Sequence, residues 1–137
     1  MFKRGGIYGV HLPHQDAQEA AEVCPCLVVS NNISNQYSPV VTIIPLIFAR
    51  LDKIYDFETL LPASADGLPR DAKVSSHLLI TIDKDKVVGE RLGFVPKALM
   101  NQVDKALRFQ LGIEEMPAYR ERTEDDAPSV ASGSPGS

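Results

Sequence analysis

The hydrophobic period of this chain changes once, at Pro96. Before that point apolar residues come in short runs or in alternation, the period-two pattern of β-strands. "GIYGVHL" alternates and stops at Pro13, "CLVVS" is a β-branched run ending at the turn-forming cluster "NNISN", and "PVVTIIPLIF" is a longer run broken at Pro45. "IYDFETLL" alternates again, with Ile54, Tyr55 and Phe57 competing for the inner face, and "DAKVSSHLLITI" and "VVGERLGFV" supply two further strands. Beyond Pro96 the stretch "PKALMNQVDKALRFQLG" sets Leu99, Val103, Ala106, Leu107 and Leu111 on one stripe at helical spacing. Pro96 suits the first turn of that helix and Gly112 the position just past its end. Short strands followed by one amphipathic helix bury their apolar faces in few ways. The expected class is mainly β: a small, strongly curved sheet or barrel with a C-terminal amphipathic helix closing it. Pro45 lacks a ladder N–H and is expected at an edge or bulge, and "DAQEAAE" (16–22) reads as a helical turn in the first long loop.

With 137 residues, 44% of them hydrophobic, the chain is sized for one domain with its own core. That unit is expected to span residues 1–113. From residue 114 onward large apolar side chains almost vanish and Ser, Gly and Pro accumulate, so 114–137 reads as an acidic, disordered tail. The formal charge is −4, and from Pro117 on there are two Arg against four Asp or Glu. No global basic field drives nucleic-acid binding, so any RNA site has to be local. No apolar run reaches the length of a membrane span, and "MFKRGGIYGV" lacks a signal-peptide core, which points to a cytoplasmic protein without a membrane partner.

Both cysteines lie in one short stretch, "EVCPCLVV", flanking Pro25. Cα atoms two apart on a strand are separated by roughly 6.5–7 Å, the far limit for a disulfide, and the Cys-x-x-Cys spacing of redox pairs is absent. A Cys₂His₂ zinc set is countable as His11, His14, Cys24 and Cys26, although its spacing matches no zinc signature. The simpler reading packs Cys26 in the core as a small apolar group and involves no cofactor.

Three stretches together resemble the MazF/PemK toxins of bacterial toxin–antitoxin systems. "KRGGIYGVHLP" is similar to the family's first strand, R-G-(D/E)-I-(V/Y)-x-V-x-L. "CPCLVVSNNISNQYSPVVTIIPLI" is similar to its second and third strands, which open R-P-x-L-V. "LPRDAKVSSHLLITIDKDKVVGERLGFVPKALMNQVDKALRFQLGI" echoes the pattern that runs through T-(I/L)-D-K and R-(I/L)-G into L-M-x-x-V-D-x-A-L. The resemblance covers roughly residues 3–113. It implies an SH3-like barrel with a C-terminal helix, a homodimer, an antitoxin as protein partner, and metal-independent cutting of single-stranded RNA. In that reaction the 2′-hydroxyl attacks the adjacent phosphate, leaving a 2′,3′-cyclic phosphate and a 5′-hydroxyl.

Such chemistry needs a base, an acid and charge stabilisation at the phosphorane. The resemblance assigns much of this to an Arg before the second-strand Pro and a Thr or Ser at the end of the third strand. Here those positions hold Cys24 and Phe48 (Ile47 if the register slips by one), and Leu78, Leu79 and Ile80 replace a Gln-Ile-Arg. A thiol offers one weak donor against five strong ones, and losing one donor aimed at developing charge costs about 10²–10³ in rate. The leading expectation is therefore a degenerate nuclease centre that acts by binding antitoxin, partner toxin or RNA. The alternative is an active endonuclease with a rearranged set drawn from His14, Arg50 and His77, because histidine works as acid or base near neutral pH. A third reading is an inhibitor like the gyrase poison CcdB, gripping a protein target with the last helix and Gly112-Ile113. Tyr8, Tyr37, Tyr55 and Phe57 are the candidates for stacking on bases.

Overall fold

The structure, a computed structural model, describes residues 2–12 and 22–113. The expected tail and residues 16–21 of the expected helical turn at 16–22 lie outside the described residues, as does His14; Glu22, the last residue of that turn, is in a strand instead.

Among the described residues seven strands and three helices follow one another: β1 (Gly6–Leu12), β2 (Glu22–Val28), α1 (Asn32–Tyr37), β3 (Val40–Ile47), β4 (Glu58–Leu61), α2 (Ala63–Asp66), β5 (Ala72–Ser75), β6 (Ile80–Asp83), β7 (Val87–Phe94) and α3 (Lys97–Gln110). All strand pairs are antiparallel, in the order β4-β5-β3-β2-β1-β7, with β6 also on β3. β6 hangs on β3 and β7 on β1, yet only a three-residue turn, Lys84–Lys86, joins them. The β3-β2-β1 ribbon must curl to bring those two ends together. This is the curved, mainly β fold expected from sequence.

Curling gives the sheet an inside and an outside, and side-chain alternation sorts residues between them. Tyr8, Val10, Cys26, Val28, Val41 and Ile43 fill the inside. Their neighbours in sequence, Ile7, Leu27 and Ile44, face outward into a second core shared with Leu61, Val74 and α3. Met100, Val103 and Ala106 are the buried face of α3. Each fully buried Leu, Ile or Val in these layers is worth about 1.5–3 kcal/mol. The predicted helical stripe therefore holds through Leu107, but Leu111 lies past the last helical turn and is 55% exposed. Gly112 adopts φ +71°, the left-handed conformation that ends a helix without strain. No helix among the described residues is long and apolar enough to cross a membrane.

Several local expectations change. "NNISN" forms a short helix because the Asn31 side chain caps it, accepting the Ser34 N–H at 2.8 Å. The expected strand 71–82 is two strands, β5 and β6, broken by a 3₁₀ turn at Ser76–Leu78. Of "IYDFETLL" only Glu58–Leu61 pairs, leaving Tyr55 and Phe57 in the preceding loop. Pro45 sits in the central strand, at the position where β3's partner changes: Ile43 is the last residue paired to β6 and Leu46 the first paired to β5. A missing N–H is cheap at that break. Asp104 of α3 receives Arg4, whose Nε also donates to the Val29 carbonyl at 2.8 Å.

Candidate functional site

β5 is buried on both faces. Its even positions, Ala72 and Val74, enter the apolar core, so alternation turns Lys73 and Ser75 the other way, under the loop that joins β3 to β4. There they meet Glu58, the first residue of β4 and the register partner of Ser75. The side chains of Lys73 and Glu58 are only 5% and 6% exposed, and they form an ion pair at 3.1 Å.

The ammonium and hydroxyl donors of this cluster all find acceptors. The Lys73 ammonium gives its three N–H groups to Glu58 Oε1, to the Arg50 carbonyl at 2.9 Å and to the Lys53 carbonyl at 3.2 Å. Glu58 Oε1 also accepts the Tyr55 backbone N–H at 3.2 Å, while Oε2 accepts from Ser75 Oγ at 3.0 Å. Ser75 Oγ in turn lies 2.8 Å from His77 Nδ1. A carboxylate only accepts, so the single Ser75 proton goes to Glu58, and Ser75 can only accept from His77. That assigns the Nδ1–H tautomer to neutral His77 and leaves Nε2 as its basic nitrogen. His77 is exposed, in the 3₁₀ turn, and its ring meets Phe57 in a T-shaped contact at 5.0 Å between centroids.

Beside the network is a cavity of about 460 Å³, lined by Arg50, Lys53, Tyr55, Glu58 and Lys73 among others. Arg50 holds φ +59°, a left-handed conformation rarely adopted by a residue with a Cβ, at the turn whose carbonyl Lys73 takes. Tyr55 stacks on Phe57 with 5.7 Å between centroids. Of the aromatics proposed to stack on bases, Tyr8 is buried in the inner core, Tyr37 is exposed on α1, Tyr55 lines the cavity, and Phe57 lies between the rings of Tyr55 and His77.

The remaining candidates fall as follows. Cys24 is half-buried on β2, two residues from the last β2–β3 pair, Cys26↔Pro45, and at the same end of β3 as Ile47, which lines the cavity and pairs with Lys73. Cys26 is fully buried, and neither cysteine is in a disulfide. Burial pushes the Cys26 thiol up to about 12, with Cys24 adding to the rise. Phe48 packs on the outer core with the Arg70 guanidinium 4.4 Å from its ring centre. Val10 and Tyr8 pair with Cys24 and Cys26, whereas His11 pairs with exposed Val23, so His11 points to the opposite sheet face from the two thiols. The described part of the zinc set does not converge, and among the described residues there is no group of three or more metal-ligating side chains. Ile113, the tip of the CcdB-like reading, is 71% exposed.

The sequence pointed to Arg50 and His77 but not to the residues linking them. Lys73 and Ser75 alternate with apolar neighbours, which reads as an ordinary solvent face. The only available signal was a lysine on a strand whose partner strand opens with a glutamate.

A fold of this kind, a curled antiparallel sheet closed by one terminal helix, is shared by a group of small bacterial toxins. The sequence model of the "PemK-like, MazF-like toxin of type II toxin-antitoxin system" matches residues 3–111, and the chain belongs to this family. It is 30% identical over 118 residues to endoribonuclease MazF9 of Mycobacterium tuberculosis, covering 82% of this chain and 98% of that protein. It is likewise 30% identical over 114 residues to endoribonuclease EndoA of Bacillus subtilis, covering 82% and 97%. Among solved structures, an endoribonuclease in complex with its cognate antitoxin from Mycobacterial species matches with TM-score 0.69 at 27% identity, covering 83% of this chain and 98% of that one. The MazE–MazF complex of Deinococcus radiodurans matches in fold at TM-score 0.68 and 22% identity, covering 82% and 97%.

Proposed function

We propose that this chain is an active endoribonuclease toxin whose working groups have moved from the family positions at Cys24 and Phe48 to His77 and Arg50. The observation that carries this is the Glu58–Ser75–His77 chain, which presents Nε2 of an exposed imidazole as a base with fixed orientation. Nε2 takes the proton of a ribose 2′-hydroxyl as the 2′-oxygen attacks the neighbouring phosphorus. The P–O5′ bond breaks, its electron pair leaves on O5′, and that oxygen is protonated from water. Products are a 2′,3′-cyclic phosphate and a 5′-hydroxyl. The Arg50 guanidinium, on the cavity rim, supplies charge to the phosphorane. The partners on this reading are single-stranded RNA, a second copy of the chain and an antitoxin that masks the site, all in the cytoplasm. Support comes from relatives that are endoribonucleases and from a solved relative held by its antitoxin.

A second reading keeps binding and drops cleavage. It is favoured by Phe48, which lies against the apolar core and brings no donor to the site. Incubating the protein with a long unstructured RNA in the absence of magnesium and mapping the ends separates the two. Site-specific fragments with 5′-hydroxyl ends, lost in Arg50→Ala, support cleavage; intact RNA retained by the protein supports binding alone.

A further inference from the structure

The buried Lys73–Glu58 pair touches both halves of the proposed site. Its ammonium end holds the carbonyls of Arg50 and Lys53, the two ends of a turn that contains a left-handed arginine. Its carboxylate end holds Ser75, and through Ser75 the ring of His77. Lys73 lines the cavity, yet all three of its N–H groups point to protein acceptors, so no donor remains for a phosphate. It is therefore not a substrate contact.

We propose that Lys73 and Glu58 are positioning residues that set the cation and the base of one site from a single buried ion pair: Lys73 fixes the Arg50 turn and Glu58, through Ser75, fixes His77. The proposal rests on the cleavage reading for its kinetic consequences but not for its geometric ones. A buried pair with full hydrogen bonding is costly to break from one side, because the surviving charge is stranded. Lys73→Met alone is thus expected to disturb the whole fold. The double variant Lys73→Met/Glu58→Gln strands no charge, and the amide it introduces still offers an oxygen to Ser75.

The two ends fail in different places. In Lys73→Met/Glu58→Gln the Arg50 turn loosens while His77 stays seated, so the charge offered to the phosphorane weakens and kcat for a short single-stranded RNA falls about tenfold with KM nearly unchanged. In Ser75→Ala the turn stays and His77 loses its orienting acceptor, so kcat falls roughly tenfold or more with KM nearly unchanged. Two readouts need no cleavage: amide hydrogen exchange across residues 50–53, and the ¹⁵N shifts of the His77 ring. Faster exchange at 50–53 only in the double variant, with the Nδ1–H tautomer lost only in Ser75→Ala, is the expected pattern. Unchanged exchange at 50–53 in the double variant, or an unchanged tautomer in Ser75→Ala, overturns the proposal. If this pattern appears and no variant cuts RNA, the positioning pair stands and the cleavage reading falls.

Discussion

Arg4, in the turn before β1, reaches across to Asp104 in the middle of α3, joining the first strand of the sheet to the helix that closes it. The same guanidinium donates from Nε to the Val29 carbonyl, so one side chain ties three segments: the N-terminal turn, the end of β2 and α3. Both partners are about a third exposed, 29% and 30%, which limits what the ion pair contributes. Arg4→Ala is expected to lower stability by about 1–2 kcal/mol, counting the lost backbone hydrogen bond. A double-mutant cycle with Asp104→Ala isolates the ion pair at about 1 kcal/mol or less in urea denaturation.

Ile44 is fully buried in the outer core and Leu111 is 55% exposed past the helix end. Ile44→Ala is expected to cost about 2–5 kcal/mol by lost transfer energy and an unfilled cavity, while Leu111→Ala stays within about 0.5 kcal/mol. Equal effects in chemical denaturation contradict the assignment of Leu111 outside the core stripe.

Most of the architecture was legible because one periodic signal, the switch at Pro96, separates strands from helix. What was not legible came from tertiary context. The Ser76–Leu78 turn hides inside a stretch that reads as one strand, since Leu78 and Leu79 look like strand residues wherever they are placed. Tyr55 alternates as a strand residue would, but its N–H goes to the Glu58 carboxylate rather than to a ladder. The candidate site was half legible for the same reason. Exposed or special groups such as His77 and Arg50 stand out by type, whereas a buried lysine is visible only once its acceptors are folded around it.

The Cys26 thiol, pushed by burial from an ordinary 9.0 to about 12, links folding to alkaline pH. Its folded-state value lies above the unfolded one, so between about pH 9 and 12 the unfolded chain binds fewer protons and stability falls as pH rises. The loss from this group reaches at most about 1.4 kcal/mol per pH unit. Urea denaturation at about pH 8 and about pH 10 is expected to show a steeper decline for wild type than for Cys26→Ala. The same decline in both places the thiol elsewhere than in the inner core.

Lys73→Met removes one partner of an ion pair whose side chains are only 5% and 6% exposed. It is expected to destabilise by about 3–5 kcal/mol, with much of that recovered when Glu58→Gln is added. A single variant as stable as wild type would show that the ammonium is solvated rather than held by Arg50, Lys53 and Glu58.

The most direct test of the relocated site is a single-turnover cleavage rate on a short single-stranded RNA, measured for wild type and His77→Ala. The expected result is 5′-hydroxyl fragments from wild type and a rate lowered roughly 10²–10⁴-fold in His77→Ala, the range for loss of a general base. Cleavage that continues undiminished without the imidazole, or wild-type protein that leaves the RNA whole, contradicts it.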